Sequence, residues 1–320
     1  MIVSVKWVVA AAAFAACTAA SAQAGYPDKP VRVVVTTVPG PLDAFARVVL
    51  QQVEKRLKQP FVVDNRAGAG GNVGADVVAK APADGYTLLF ALDTTFTVNP
   101  ALYKKMPFDV AKDFAVIAVP VTYSQALAVN PKIKANNLAE FVRLAKSTHL
   151  SYASGGNGSP SHLTMASFMS AAGIDMTHVP YKGTGASVVD VMGGQVDSVF
   201  AVGSGILPQA QAGKLRALAV SGTARSSAAP DLPTVAESGY PEFNASFAYV
   251  LAAPAGTPPQ IVQLLAHEVA LAMESPEVKA LNLQADYAPT GLTQPQSAAW
   301  LATMRKRWTE VVQKSNIALD

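Results

Sequence analysis

Short β-branched runs alternate with helical patterns along most of this chain, which predicts an α/β fold with largely parallel sheets. Length and composition agree: 320 residues, half of them apolar and only 15% charged, can bury a large core and suggest two domains. No low-complexity linker divides the chain. Two domains would then be joined by extended segments, around Val119–Val129 and Ser246–Ala253, and two such crossings would make a hinge.

The predicted strands are Val31–Thr37, Phe61–Asn65, Tyr86–Leu92, Ile117–Val129, Leu150–Ala153, Thr177–Pro180, Val196–Val202, Leu215–Val220 and Ala248–Ala253. Between them lie helices with recognisable ends. In Asp43–Leu57 the residues Phe45, Val48, Val49, Val53 and Leu57 share one face at helical spacing. Asn137 with Glu140 forms a capping-box pattern ahead of Leu138, Phe141 and Leu144. Ser159-Pro160, Thr257-Pro258 and Ser275-Pro276 each set a capping hydroxyl before a proline at the first helical position. Leu301, Met304, Trp308 and Val311 make a core stripe on a last helix expected to pack on the first domain.

The first residues read as an export signal: Lys6, an apolar run from Trp7 to Ala16, and small residues ending in Ala22-Gln23-Ala24, an A-x-A cleavage site. The run is shorter than the ~20 residues a spanning helix needs. Cleavage near Ala24 would leave a mature, soluble chain starting at Gly25. A lipid anchor on Cys17 is the alternative, since Phe14-Ala15-Ala16-Cys17 resembles a lipobox with an atypical Phe. Cys17 is the sole cysteine, so cleavage would exclude disulfides, Cys-based metal sites and a Cys nucleophile. It would also leave a net charge of +2, too mild to argue for nucleic acid or an anionic membrane as partner.

In open parallel sheets ligands bind beyond the carboxyl ends of strands, where loops lead into helix starts. Val38–Asp43, Asn65–Asn72 (NRAGAGGN), Ser154–Ser159 (SGGNGS) and Tyr181–Ser187 (YKGTGAS) have that form, and Asp93–Asn99 (DTTFTVN) follows a strand in the same way. Such loops offer backbone N–H groups and the positive end of a helix dipole, which attract a carboxylate or phosphate without any cationic side chain. Ser154–Ser159 is the sharpest, because Ser159-Pro160 sets the helix start and the glycines allow close approach of a ligand. His162 follows in the first turn, where it would touch a ligand or hold structure.

Other chemistries fit poorly. Gly68-Ala69-Gly70-Gly71-Asn72-Val73-Gly74 mimics a dinucleotide fingerprint, but Val73 stands where G-x-G-x-x-G needs glycine. His149, His162, His178 and His267 show no metal-binding spacing and do not gather in the sequence. No G-x-S-x-G is present, and Ser159 is better explained as a helix cap than as a nucleophile. No catalytic residue, metal ligand or cofactor is therefore expected.

Several motifs occur in a characteristic order. They are Tyr26-Pro27-Asp28-Lys29-Pro30-Val31-Arg32, Val63-Asp64-Asn65-Arg66-Ala67-Gly68-Ala69-Gly70-Gly71-Asn72, Ala83-Asp84-Gly85-Tyr86-Thr87-Leu88, Asn99-Pro100-Ala101-Leu102-Tyr103 and Val179-Pro180-Tyr181-Lys182-Gly183. Then come Gly213-Lys214-Leu215-Arg216-Ala217-Leu218-Ala219-Val220, Pro233-Thr234-Val235-Ala236-Glu237 and Pro254-Ala255-Gly256-Thr257-Pro258. Over essentially all of the mature chain this resembles the periplasmic solute-binding proteins of tripartite tricarboxylate transporters, the Bug family.

The resemblance implies a two-lobed periplasmic binding protein fold, each lobe a mostly parallel sheet flanked by helices, with the cleft between lobes. It implies residues 25–125 as the first part of lobe 1, 126–247 as lobe 2, and 248–320 as the rest of lobe 1. The protein would be a periplasmic monomer that closes on a small organic carboxylate, a dicarboxylate or an aromatic acid, and delivers it to two membrane subunits. A sensor kinase partner is the alternative, and a periplasmic enzyme a remote one. Carried over from the family, the first lip becomes Pro39, Gly40 and Asp43, and the second becomes Ser154, Gly155, Asn157, Gly158 and Ser159. Val38, Pro41, Leu42, Thr94, His162, Thr184 and Ala201 complete the expected ligand-binding set. Two departures stand out: Pro39-Gly40-Pro41-Leu42-Asp43 is one residue shorter than the family's P-G-G-x-x-D, and Ala201-Val202 replaces a common Asp-Asn. Pro41, Leu42 and Ala201 are thus expected to make the pocket more apolar, which motivates the aromatic option.

Overall fold

Val31, Val33 and Val35 point into one hydrophobic core and Val34 into another, as the two-residue period of a strand buried on both faces requires. The computed structural model in which this is seen describes residues 25–314, so the export signal and Cys17 lie outside the described residues. In chain order the elements are β1 (Val31–Val35), α1 (Pro41–Leu57), β2 (Phe61–Asn65), α2 (Asn72–Ala79), β3 (Thr87–Leu92), α3 (Thr94–Thr97), α4 (Asn99–Leu102), β4 (Phe114–Ala118), β5 (Val121–Tyr123) and β6 (Gln125–Val129). They continue with α5 (Leu138–Ser147), β7 (Leu150–Ser154), α6 (Pro160–Ala172), β8 (Met176–Pro180), α7 (Thr184–Gly193), β9 (Ser198–Val202), α8 (Gly203–Gln211) and β10 (Arg216–Val220). The last are β11 (Phe247–Pro254), α9 (Pro259–Met273), α10 (Pro276–Ala285), β12 (Tyr287–Pro289) and α11 (Gln294–Lys314).

These strands form two sheets. One runs β12-β5-β11-β3-β1-β2 with β4 also on β11, and the other runs β10-β6-β9-β7-β8. Helices cover both faces, so the fold is α/β and two-lobed. The expectation of mostly parallel sheets needs correcting. Parallel pairing joins β1 to β2 and β3, and β7 to β8 and β9. Every other ladder is antiparallel: β6 and β11 enter their sheets from the opposite lobe and so run against the strands they meet, and β12 runs against β5. The run Ile117–Val129, expected as one strand, is divided among β4, β5 and β6 and contributes to both sheets.

The chain crosses between sheets at Tyr123–Gln125 and returns at Ala245–Phe247. Ser221 binds both crossings. It exchanges bonds with Gln125, whose N–H donates to the Ser221 hydroxyl (2.9 Å) and whose carbonyl accepts from the Ser221 N–H (2.7 Å). The same hydroxyl donates to the Ala245 carbonyl (2.7 Å), and the Ala245 N–H donates back to the Ser221 carbonyl (2.8 Å). Below the crossings Tyr123, Phe247, Tyr249 and Tyr287 pack ring against ring, with the Tyr249 and Tyr287 hydroxyls bonded at 2.9 Å. Trp308 of α11 stacks on Phe247 at 4.9 Å, and Arg307 donates to the Asn244 carbonyl, so the last helix packs on the first sheet beside the return crossing.

Helix ends follow the sequence with one exception. Asn137 accepts from the Glu140 N–H (2.9 Å), Ser159 from the His162 N–H (3.3 Å) and Ser275 from the Val278 N–H (3.3 Å). Thr257 does not cap: α9 starts at Pro259, and the buried Thr257 hydroxyl donates instead to the Pro254 carbonyl at 2.8 Å.

Replacing Ser221 with alanine orphans the buried Gln125 N–H and Ala245 carbonyl. We expect a loss of about 1–3 kcal/mol in unfolding free energy from urea denaturation. An unchanged midpoint would mean that Ser221 does not tie the crossings.

Candidate functional site

The strand registers determine where the loops open. In the first sheet Phe247 pairs with Tyr123 and Tyr249 with Leu92, so the carboxyl ends of β3, and of β1 parallel to it, point toward the crossings. In the second, Gln125 pairs with Val202, so β9 and its parallel neighbours β7 and β8 also end there. The loops after β1 and β3 and those after β7, β8 and β9 therefore all emerge on the hinge side of their sheets. This is the position at which open α/β sheets bind ligands.

In the first lip Val38, Pro39 and Pro41 are exposed, and Gly40 is the residue before α1. No side chain caps α1, so its first-turn N–H groups have no side-chain acceptor. Asp43 turns inward. Its carboxylate accepts from Arg47 Nε (2.9 Å) and Asn65 Nδ2 (2.9 Å), and the same Asn65 nitrogen donates to the Thr37 carbonyl (2.9 Å). Arg47, with Asn65 alongside, holds the carboxyl below the usual carboxylate range against the opposing effect of burial. Asp43 thus fastens the lip to the end of β2.

Leu42 and Ala201 are placed differently from the expectation. Leu42 is 3% exposed and packs in the core beside Phe45, and Ala201 is 2% exposed among Ala126, Val199 and Ile206. Both faces of each sheet are covered by helices, so a side chain within a strand or on the inner side of α1 meets core and not cleft.

Thr94 is buried in α3 directly after Asp93. Asp93, which the sequence did not single out as a site residue, is the anchor of this segment. Its N–H donates to the Ala248 carbonyl (3.0 Å), and its carboxylate accepts from the Ala248 N–H (3.0 Å) just beyond the return crossing. The glycine-rich loop before α2 packs against the same segment: the Gly70 carbonyl accepts from Asn99 Nδ2 (3.0 Å), and a side chain at Gly71 would come within 2.6 Å of the Thr95 hydroxyl. The Gly71 and Val73 N–H groups donate to the Gly68 carbonyl. Those donors are used internally, unlike the free donors of a dinucleotide cradle.

The second lip collects Ser154, Gly155, Gly158, Ser159, His162 and Thr184. The Gly155 N–H donates to Ser161 Oγ (2.9 Å), which shares a bond with Ser159 Oγ (3.0 Å). The Tyr181 N–H donates to the Ser154 carbonyl (3.0 Å) and the Gly183 N–H to the Gly155 carbonyl (3.3 Å), so the loops after β7 and β8 form one surface. A Cβ at Gly155 would lie 2.9 Å from the Thr184 hydroxyl, which explains glycine there. Asn157 stands exposed at the tip.

Two histidines do gather, against the reading of the sequence. His162 and His178 stack with ring centroids 4.2 Å apart, although sixteen positions separate them, because the first turn of α6 lies beside β8. Burial, with His178 beside it, pushes the His162 imidazole down to about 4, and burial also lowers His178. Both rings are therefore neutral at ordinary pH.

A pair of hydrogen bonds also links the lobes beside the hinge. Asp286, in left-handed conformation (φ 58°) at the end of α10, accepts from the N–H (3.2 Å) and hydroxyl (3.3 Å) of Ser227. Surface hollows of about 310 Å³ beside α1 and about 420 Å³ beside β10 include no residue of either lip. Among the described residues no cluster of three or more His, Cys, Asp or Glu could hold a metal, and no helix is long and apolar enough to cross a membrane.

Residues 45–317 match the profile of the tripartite tricarboxylate transporter family receptor. The chain belongs to this family of solute-binding receptors. It is 35% identical over 298 residues to protein BugT of Bordetella pertussis strain Tohama I, covering 92% of this chain and 91% of BugT. Rpa4515 of R. palustris, solved with adipate, superposes with a TM-score of 0.86 at 30% identity, over 92% of this chain and 99% of that one. MatC from Rhodopseudomonas palustris with bound malate superposes with a TM-score of 0.82 at 30% identity, over 90% and 100%. The receptor's lips are thus built on a scaffold that it shares with proteins crystallised around carboxylates.

The buried Asp93 gives the site a pH signature. Burial raises its carboxyl from 3.8 to about 7, against the bonds from Ala248 and Thr97. The folded protein thus holds a proton that the unfolded chain has released. That stabilisation is complete below about 4 and is lost as the pH rises through about 7. Asp93→Asn cannot ionise, so it should exceed wild type in stability by up to about 4 kcal/mol at pH 8, with the gain shrinking toward pH 4. A gain independent of pH in urea titrations would contradict this assignment.

Proposed function

We propose that this receptor captures a small organic dicarboxylate between its lobes and delivers it to the membrane subunits of a tripartite tricarboxylate-type transporter. The observation that carries the reading is the placement of two helix starts, Gly40–Asp43 and Ser154–Ser159, at the hinge ends of both sheets. Backbone donors at helix starts hold an anion without a cationic side chain. The adipate and malate held by the related Rpa4515 and MatC support a ligand with two carboxylates. With Leu42 and Ala201 in the core, exposed Pro41 alone of the three departures supports an aromatic acid.

In this reading the protein works in the periplasm as a monomer, without a cofactor or nucleic acid, and releases its ligand unchanged. Closure about the two crossings is favoured only by contacts made in the closed state, so the ligand drives closure by its preference for that state. Val38, Pro39, Gly40 and Pro41 form the first lip, with Asp43 positioning it. Ser154, Gly155, Asn157, Gly158 and Ser159 form the second, with Thr94 and Thr184 behind the lips.

Calorimetry and thermal shift against succinate, malate, adipate and benzoate test the proposal. A dicarboxylate is expected to bind and to raise the melting midpoint by mass action. Asp43→Ala and Ser159→Ala are expected to weaken that binding by roughly 1–3 kcal/mol each. A protein that responds to none of these acids, or that binds one equally well in both variants, would contradict the assignment.

A further inference from the structure

We propose that His162 and His178 are positioning residues for the second lip: the stacked imidazoles fasten the loop Ser154–Ser159 from beneath and so determine which of its N–H groups remain for an anion. The inference rests on the reading of that loop as a carboxylate grip.

Three elements each supply one ring. Tyr152 of β7 and His178 of β8 are direct partners in the parallel ladder, and His162 comes from the first turn of α6. His178 is the middle layer, 4.8 Å from Tyr152 at an interplanar angle of 14° and 4.2 Å from His162 at 7°. Tyr152 and His162, the outer layers, are 6.4 Å apart. The stack fills the space under the loop with flat apolar faces and turns its polar edges upward.

Those edges meet the loop at two points. The Gly158 N–H donates to His162 Nδ1 at 3.0 Å. Ser154 Oγ shares a bond with His178 Nε2 at 2.6 Å and accepts from the Gly156 N–H at 3.1 Å. Gly156 and Gly158 both have positive φ, 118° and 72°, so the loop holds a shape that few residues adopt, and these bonds keep it there. With Gly155 on Ser161, Gly156 on Ser154, Gly158 on His162 and Ser159 on the Gly156 carbonyl, four N–H groups of the loop are committed within it. The tip at Asn157 is left toward solvent.

A neutral imidazole suits this place for an electrostatic reason. A carboxylate acceptor would fasten the Gly158 N–H equally well, but it would put a negative charge beneath a loop that receives an anion. The acceptor role also requires that Nδ1 of His162 carry no proton, which makes Nε2–H the neutral tautomer.

Three measurements test this. In the unmodified protein the ring-nitrogen NMR shifts of His162 should show an unprotonated Nδ1, and a protonated Nδ1 would overturn the proposal. Amide exchange at Gly158 should be at least tenfold faster in His162→Phe, which keeps a stacked ring without an acceptor. It should return near the wild-type rate in His162→Asn, whose Oδ1 replaces Nδ1. Equal protection in the Phe variant, or no rescue by Asn, would overturn it. Affinity for adipate, read by calorimetry, should fall at least tenfold in the Phe variant and stay within about threefold in the Asn variant. Unchanged affinity in the Phe variant would refute the link from stack to ligand. If wild type fails to bind adipate, the carboxylate reading falls, and the Gly158 exchange rates decide the positioning role by themselves.

Discussion

Everything in this protein depends on two short passages of chain that leave one sheet for the other. Tyr123–Gln125 and Ala245–Phe247 run side by side, and the buried Ser221 bonds both. Because the described chain passes between the sheets at these two neighbouring strands, they are placed to serve as a hinge. The same passages orient the sheets so that strands of both lobes end facing each other. The cleft follows from strand direction, before any side chain is considered.

In the proposed reading the ligand meets mostly backbone. The proposed lips bring helix starts, glycines and hydroxyls, while the nearby arginines of the first lobe are engaged: Arg47 with Asp43, and Arg66 and Arg32 with Asp64. A site built from N–H groups recognises an anion through geometry, so it needs its loops held in one shape. Asp43 with Asn65 does this in the first lobe, Asp93 with Ala248 at its floor, and Ser161, His162 and His178 in the second. Much of the polar interior beneath the lips is thus spent on loop shape.

Local features of this design were legible in the sequence. Ser159-Pro160 and Asn137 with Glu140 are caps in the structure because a cap needs only residues within one turn. The strands and their alternation were legible for the same reason. Features that depend on which layer covers a side chain were not. Leu42 and Ala201 sit at lip-like positions in the chain, yet helices on both sheet faces bury them. His162 and His178 lack any motif spacing, and only the tertiary placement of the first turn of α6 beside β8 joins them. Asp93 was passed over in favour of Thr94 because its bond to Ala248 spans 155 positions. The antiparallel sense of β6 and β11 has no local signal either, because a chain that alternates between lobes reverses the sense in which it enters each sheet.

The central claim is that an anion is gripped at the hinge by backbone donors from both lobes, without a cationic partner. An experimental structure of the protein as purified, or soaked with adipate, tests it most directly. The account predicts carboxylate oxygens within hydrogen-bond distance of N–H groups in the Gly40–Asp43 and Ser154–Ser159 loops, with no Lys or Arg side chain paired to them. A ligand carboxylate held by a lysine or arginine, or seated away from the hinge ends of the two sheets, would contradict it.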